Sequence, residues 1–158
     1  MLNNKYKEIL KESVIDAIES LAFVQLIENT ESLVLKLINE TNRQTMLSVY
    51  QSVNNQYYLF ILTISPKLLK DIIINIFGLD PDTPITPEME KDTISELLNT
   101  IAGKFMRNIT PETDIFQLGL PIPEKYPIDI TSNNSINCIF ESEDGENIIL
   151  SFLEFAKK

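Results

Sequence analysis

Four residues in the sequence carry chemistry at a spacing with structural meaning: Asp92, Glu96, Asn99 and Gly103. They stand at intervals of four, three and four. On a helix of about 3.6 residues per turn, those intervals place them on one narrow stripe. Ile94, Leu97, Leu98, Ile101, Phe105 and Met106 fall on the other side. The helix is expected to bury that apolar side and to turn Glu96 and Asn99 outward. A carboxylate one turn from a carboxamide could hydrogen-bond to whatever approaches the helix. A solvated face accounts for a lone exposed Glu, but Asn99 and Gly103 strain that account. In a helix interior Asn costs about 0.7 kcal/mol and Gly about 1 kcal/mol relative to Ala, and neither residue is near a cap. Composition and spacing leave a solvated face and a functional face both open.

The rest of the chain offers few other reactive groups. It has no His and one Cys among 158 residues, so it can build neither a Ser-His-Asp nor a Cys-His unit, nor a cysteine-histidine zinc cluster. It contains no P-loop and no Gly-x-Gly-x-x-Gly. An enzyme made from this chain works with carboxylates, amides and hydroxyls, or borrows reactive parts from its substrate. Thirteen Lys+Arg against 23 Asp+Glu give a net charge of -10, which repels nucleic acid and anionic lipid and favours a basic protein surface. No apolar run approaches the length of a bilayer crossing. The amino terminus mixes both charge signs where a signal peptide would be apolar, so a cytoplasmic protein is expected. Cys138, between Ile136 and Phe140 in an alternating segment, reads as a buried structural thiol.

Periodicity and punctuation predict the elements that position the stripe. Ile9, Leu10, Val14, Ala17, Ile18, Leu21 and Ala22 recur at helical intervals and predict a first helix over about residues 5–27. After a polar break, runs at residues 33–38, 45–50 and 57–63 predict strands of an antiparallel meander, with turns at residues 39–42 and at Asn54-Asn55. Ser65-Pro66 is a cap followed by a proline, and Gly78 is a left-handed stop. Together they predict a short helix over residues 66–77 whose apolar residues face the sheet. Thr86-Pro87-Glu88 repeats the capping signal, so the long stripe-bearing helix is predicted over roughly residues 87–108. Residues 119–127 read as proline-rich and extended, and residues 128–130 as a short strand. The apolar runs at residues 135–140 and 147–152 flank Asp144-Gly145, a tight hairpin signal. The whole reads as an α+β fold, an antiparallel sheet with helices packed on it, in a single domain over residues 1–158.

The pattern Asp92-x-x-x-Glu96-x-x-Asn99-x-x-x-Gly103 resembles the signature helix of the CheC, CheX and FliY chemotaxis phosphatases. The order of elements around it resembles a CheX chain along nearly its whole length. CheC and FliY forms typically carry two such helices and CheX forms one. No second Glu-x-x-Asn of that kind occurs here, so the resemblance is closest to CheX. Asn54-Asn55 replaces a glycine often seen in the first hairpin, and residues 118–123 are only loosely like the family's proline-containing stretch.

The resemblance implies a hydrolase of two-component signalling. It would end a chemotaxis signal by hydrolysing the aspartyl phosphate of a phosphorylated CheY-like response regulator. Glu96 and Asn99 would be the catalytic pair, Glu96 anchoring to the regulator's lysine and Asn99 positioning the attacking water. Gly103 would let the partner's surface come near or else serve close packing inside the domain, and Asp92 would assist partner contact or only favour the first half of the helix electrostatically. No cofactor or metal is expected on this chain, and Mg²⁺ is expected in the partner's receiver domain. A homodimer is expected from the same resemblance. The alternative reading is a non-catalytic module of the same fold that docks on a receiver domain or a flagellar switch component.

Overall fold

A computed structural model describes residues 4–29, 42–53, 55–123 and 135–156. The predicted strands at residues 33–38 and 128–130 lie outside these, as does Asn54. The described elements run α1 (Asn4–Ala22), β1 (Leu26–Glu28), β2 (Arg43–Gln51), β3 (Gln56–Ile64), α2 (Pro66–Phe77), α3 (Pro87–Ile109), β4 (Phe116–Leu118), β5 (Ile122–Pro123), β6 (Ser135–Ser142) and β7 (Asn147–Ala156). The strands form one seven-stranded sheet in the order β1-β6-β7-β3-β2-β4, with β5 also paired to β2. Every pairing is antiparallel. This is the expected α+β arrangement. The closing hairpin is not an appendage, because β7 inserts between β6 and β3 and joins the two hairpins at the centre of the sheet.

Alternation along the strands sets which side the helices cover. Tyr58, Phe60, Leu62 and Ile64 of β3, with Ile148, Leu150 and Phe152 of β7, belong to the main core shared with the helices. Ile61, Ile139 and Ile149 are buried in a second, smaller cluster with Met46, Leu59 and Leu153 packed against it. Burial of both strand faces explains why residues 57–64 form an almost unbroken apolar run.

The first helix is shorter than its periodicity predicts. It stops at Ala22, and Phe23 takes a left-handed conformation (φ 54°) with its backbone N–H donating to the Glu19 carbonyl at 3.2 Å. Neither Gly nor Pro marks that stop. Tertiary pairing overrides the helical pattern there: Leu26 and Glu28 register against Ser142 and Phe140, and Asn29 donates from its backbone to the Ile139 carbonyl at 2.8 Å. Asn55, at the other predicted turn, takes a left-handed conformation (φ 50°).

Candidate functional site

Helix α3 is fixed at both ends. The Thr86 hydroxyl accepts from the Met89 backbone N–H at 3.2 Å, and Pro87 occupies the first turn with Glu88 and Glu90, where acidic side chains favour the helix dipole. At the other end the Thr110 N–H donates to the Met106 carbonyl at 2.9 Å. Ile94, Leu97, Leu98, Ile101 and Phe105 are buried against the core. The Phe105 ring is the principal anchor, with its centroid 4.8 Å from Phe152, 5.6 Å from Phe60 and 5.8 Å from Tyr6. Lys104 Nζ pairs with Asp16 Oδ2 of α1 at 2.7 Å. These contacts set the rotation of α3 about its axis, and so set where the opposite stripe points.

On that stripe Asp92 and Glu96 are exposed, Asn99 is half-buried and Gly103 is buried. The side chains of Asp92, Glu96 and Asn99 have no hydrogen bond or ion pair among the described residues. The uniformly outward stripe expected from spacing is therefore corrected at Gly103. What covers Gly103 is the side chain of Arg107, one turn further along. The three atoms nearest to a Cβ at Gly103 would be Arg107 Nη1 at 3.4 Å and Cζ and Nη2 at 3.9 Å, the far end of a flexible side chain. Helical side chains lean toward the amino terminus, which is why Arg107 lies back over the preceding turn. Close packing inside the domain thus does not account for the glycine. Arg107 itself has no ion pair among the described residues, although Glu12 and Asp16 of α1 line the same shallow groove. The spacing of four that leads from Asp92 to Glu96 and from Asn99 to Gly103 continues to Arg107, and that was the available sequence signal for it.

At the amino-terminal end of the stripe the three helices diverge around a pocket of about 220 Å³. Leu21 of α1, Ile76 and Phe77 of α2, and Met89 and Leu97 of α3 line it, with Asp92 and Glu96 also contributing. Sequence reasoning did not find this pocket, and it expected the apolar residues of α2 to face the sheet. Leu68, Leu69, Ile72 and Ile73 are buried in the main core, where this helix packs chiefly against α1 and α3, whereas Ile76 is 37% exposed and Phe77 59% exposed. Both lie in the last turn before the left-handed Gly78 cap (φ 61°), where they border the pocket instead of the core.

Other titratable groups behave as structural parts. Cys138 is buried, and burial pushes its thiol up to about 12. Burial likewise pushes the Tyr58 hydroxyl up to about 12, with Tyr6 and Glu154 adding to the shift. Among the described residues no group of three or more His, Cys, Asp or Glu could hold a metal ion. No described helix is long and apolar enough to cross a membrane.

No family model matches the chain, and no curated protein matches its sequence. Solved structures do match. The chemotaxis protein CheX from Vibrio vulnificus superposes with a TM-score of 0.74 at 15% identity, over 96% of this chain and 97% of that one. A chemotactic CheC-like protein from Shewanella oneidensis gives 0.73 at 16% identity, over 98% of this chain and 100% of that one. The matching chain in the CheX-CheY-BeF3-Mg²⁺ complex from Borrelia burgdorferi gives 0.68 at 16% identity, over 94% and 97%. The likeness spans nearly the full length of each, and the fold of this chain is that of the CheX and CheC-like chemotaxis proteins.

Proposed function

We propose that this chain is a phosphatase of the CheC/CheX family that hydrolyses the aspartyl phosphate of a phosphorylated CheY-like response regulator. The observation that carries the reading is the pair Glu96 and Asn99, a turn apart on the face of α3 opposite its buried side, whose side chains have no hydrogen bond or ion pair among the described residues. The fold around them is one that a CheX chain uses in complex with CheY. The exposed Glu96 carboxylate makes a charge-assisted contact with a lysine of the regulator and sets depth and register. The Asn99 carboxamide accepts from and donates to one water, holding it in line with the phosphorus without needing to titrate. The water oxygen bonds to phosphorus as the bond from phosphorus to the aspartyl oxygen breaks, and the regulator's carboxylate and inorganic phosphate leave. The regulator's own Mg²⁺ and lysine supply the charge stabilisation that this chain lacks. A homodimer belongs to the same reading, and light scattering measures it directly.

The test is the decay of receiver domains phosphorylated with acetyl phosphate and Mg²⁺, in the presence of substoichiometric protein. Multiple turnovers are expected. Glu96→Ala should act mainly by raising KM, and full activity of that variant at low enzyme concentration would count against its anchoring role. Binding without turnover by the unaltered protein would identify the non-catalytic module instead.

A further inference from the structure

The pocket between α1, α2 and α3 shares its wall with the proposed catalytic face, because Glu96 belongs to both. A partner large enough to engage Glu96 and Asn99 together therefore comes down over the pocket mouth as well. At about 220 Å³ the pocket falls below the roughly 300–1,000 Å³ that encloses drug-sized ligands. It suits one large side chain. Three of its apolar residues are left substantially in solvent: Phe77 at 59%, Leu21 at 39% and Ile76 at 37% exposure. Such residues around a concavity are the usual material of an interface anchor.

The charge at the rim narrows the occupant. Asp92 and Glu96 carry two carboxylates with no ion pair among the described residues, and no Lys or Arg lines the pocket. A second copy of this chain, at a net charge of -10, would bring further like charge against that rim at a cost. A basic surface with a projecting apolar side chain is complementary to it.

We infer that this pocket is the apolar anchor of the receiver interface, seating an apolar side chain that lies beside a basic residue on the partner. The inference rests on the proposed function for the identity of the partner. It adds a binding determinant separate from the Glu96 and Asn99 chemistry. Burying one large apolar side chain is expected to change affinity roughly tenfold to a hundredfold.

The experiment compares Phe77→Gln and Leu21→Gln, substitutions on two different helices, with the unaltered protein. Binding to a beryllofluoride-activated receiver domain, the KM and kcat of phospho-receiver decay, the melting temperature and light scattering are all measured. A rise of roughly ten- to a hundredfold in Kd and KM for both variants, at unchanged kcat and melting temperature, supports the anchor. Unchanged Kd and KM overturn it. Altered self-association with receiver binding intact also overturns it and assigns the pocket to a contact between copies. If both variants bind more weakly while Asn99→Ala turns over normally, the anchor stands and the water-positioning reading fails. If the unaltered protein binds no receiver, both fall.

Discussion

The Asn99→Ala substitution removes a half-buried carboxamide that has no hydrogen bond among the described residues, from the interior of a helix whose opposite face is closed against Phe60 and Phe152. Nothing in the fold is left unsatisfied by the change. Asn is less favourable than Ala in a helix interior by about 0.7 kcal/mol, so the variant should gain about that much stability, or about 2 °C in melting temperature for a chain of this size. Turnover should move the other way. Loss of one group that positions the attacking water costs on the order of 3 kcal/mol of barrier, about a hundredfold in rate. The assay is single-turnover decay of phosphorylated receiver at saturating protein, which isolates the chemical step, alongside urea unfolding of the same preparations. A variant that is destabilised by more than about 1 kcal/mol would show that the carboxamide supports the fold. A more stable variant with undiminished turnover would refute the water-positioning role.

Gly103→Ala should also stabilise the helix, by about 1 kcal/mol, since the atoms nearest to the added Cβ would be those of the Arg107 guanidinium, at ordinary contact distance. Under the proposed docking its KM should rise, and receiver titrations combined with urea unfolding would separate the two effects. Asp114 gives a pH-dependent prediction. Its Oδ1 accepts from Ser52 Oγ at 2.8 Å and from the backbone N–H groups of Val53 and Ile115 at 3.1 and 2.7 Å. Desolvation pushes its carboxyl upward, but these bonds and one from Gln51 outweigh it and hold the carboxyl below its ordinary value. Stability from a depressed carboxylate is present above the unfolded-state pKa and is lost as pH falls through the folded one. Asp114→Asn should therefore melt lower than the unaltered protein at pH 7, with the difference closing below about pH 4. A gap that persists in acid would refute that origin. The Cys138 thiol, buried and pushed up to about 12, should resist alkylation at pH 8 until the protein unfolds, and fast labelling of the native protein would contradict the burial.

Local signals in this chain are strong where backbone chemistry is explicit. Ser65-Pro66, Gly78, Thr86-Pro87 and Asp144-Gly145 bracket two helices and a hairpin, and each takes the expected geometry: Ser65 and Thr86 accept from Leu68 and Met89, and Gly78 and Gly145 have positive φ. The end of α1 was not legible, because Phe23 reaches a left-handed conformation through pairing of β1 with β6 and not through its own preference. The position of β7 at the centre of the sheet is likewise a long-range outcome that alternation within one strand does not encode. At the site, spacing placed Asp92, Glu96 and Asn99 on the side of α3 away from the core. It did not reveal that Arg107 folds over Gly103 or that Ile76 and Phe77 border a pocket. The pocket depends on where neighbouring elements end, whereas Arg107 follows from the same spacing of four within α3.

The same geometry explains how α3 carries two unfavourable residues without losing its shape. Asn99 and Gly103 together cost about 1.7 kcal/mol of helix propensity. Leu98, Ile101, Ala102 and Phe105, which surround them in sequence, are fully buried, and burial of one such large apolar side chain contributes about 1.5–3 kcal/mol. Tertiary packing therefore decides the helix, and propensity does not. Packing on the buried side, with Lys104 pinned to Asp16 beside it, leaves the opposite stripe free to be chosen for what it presents. A carboxamide on a rigid helix loses little further freedom when it orders a water, whereas one on a loop would have to be immobilised during docking. Under the proposed function, a chain without histidine would assist hydrolysis through placement alone. The cost of that placement falls on a helix whose other face is packed well enough to carry it.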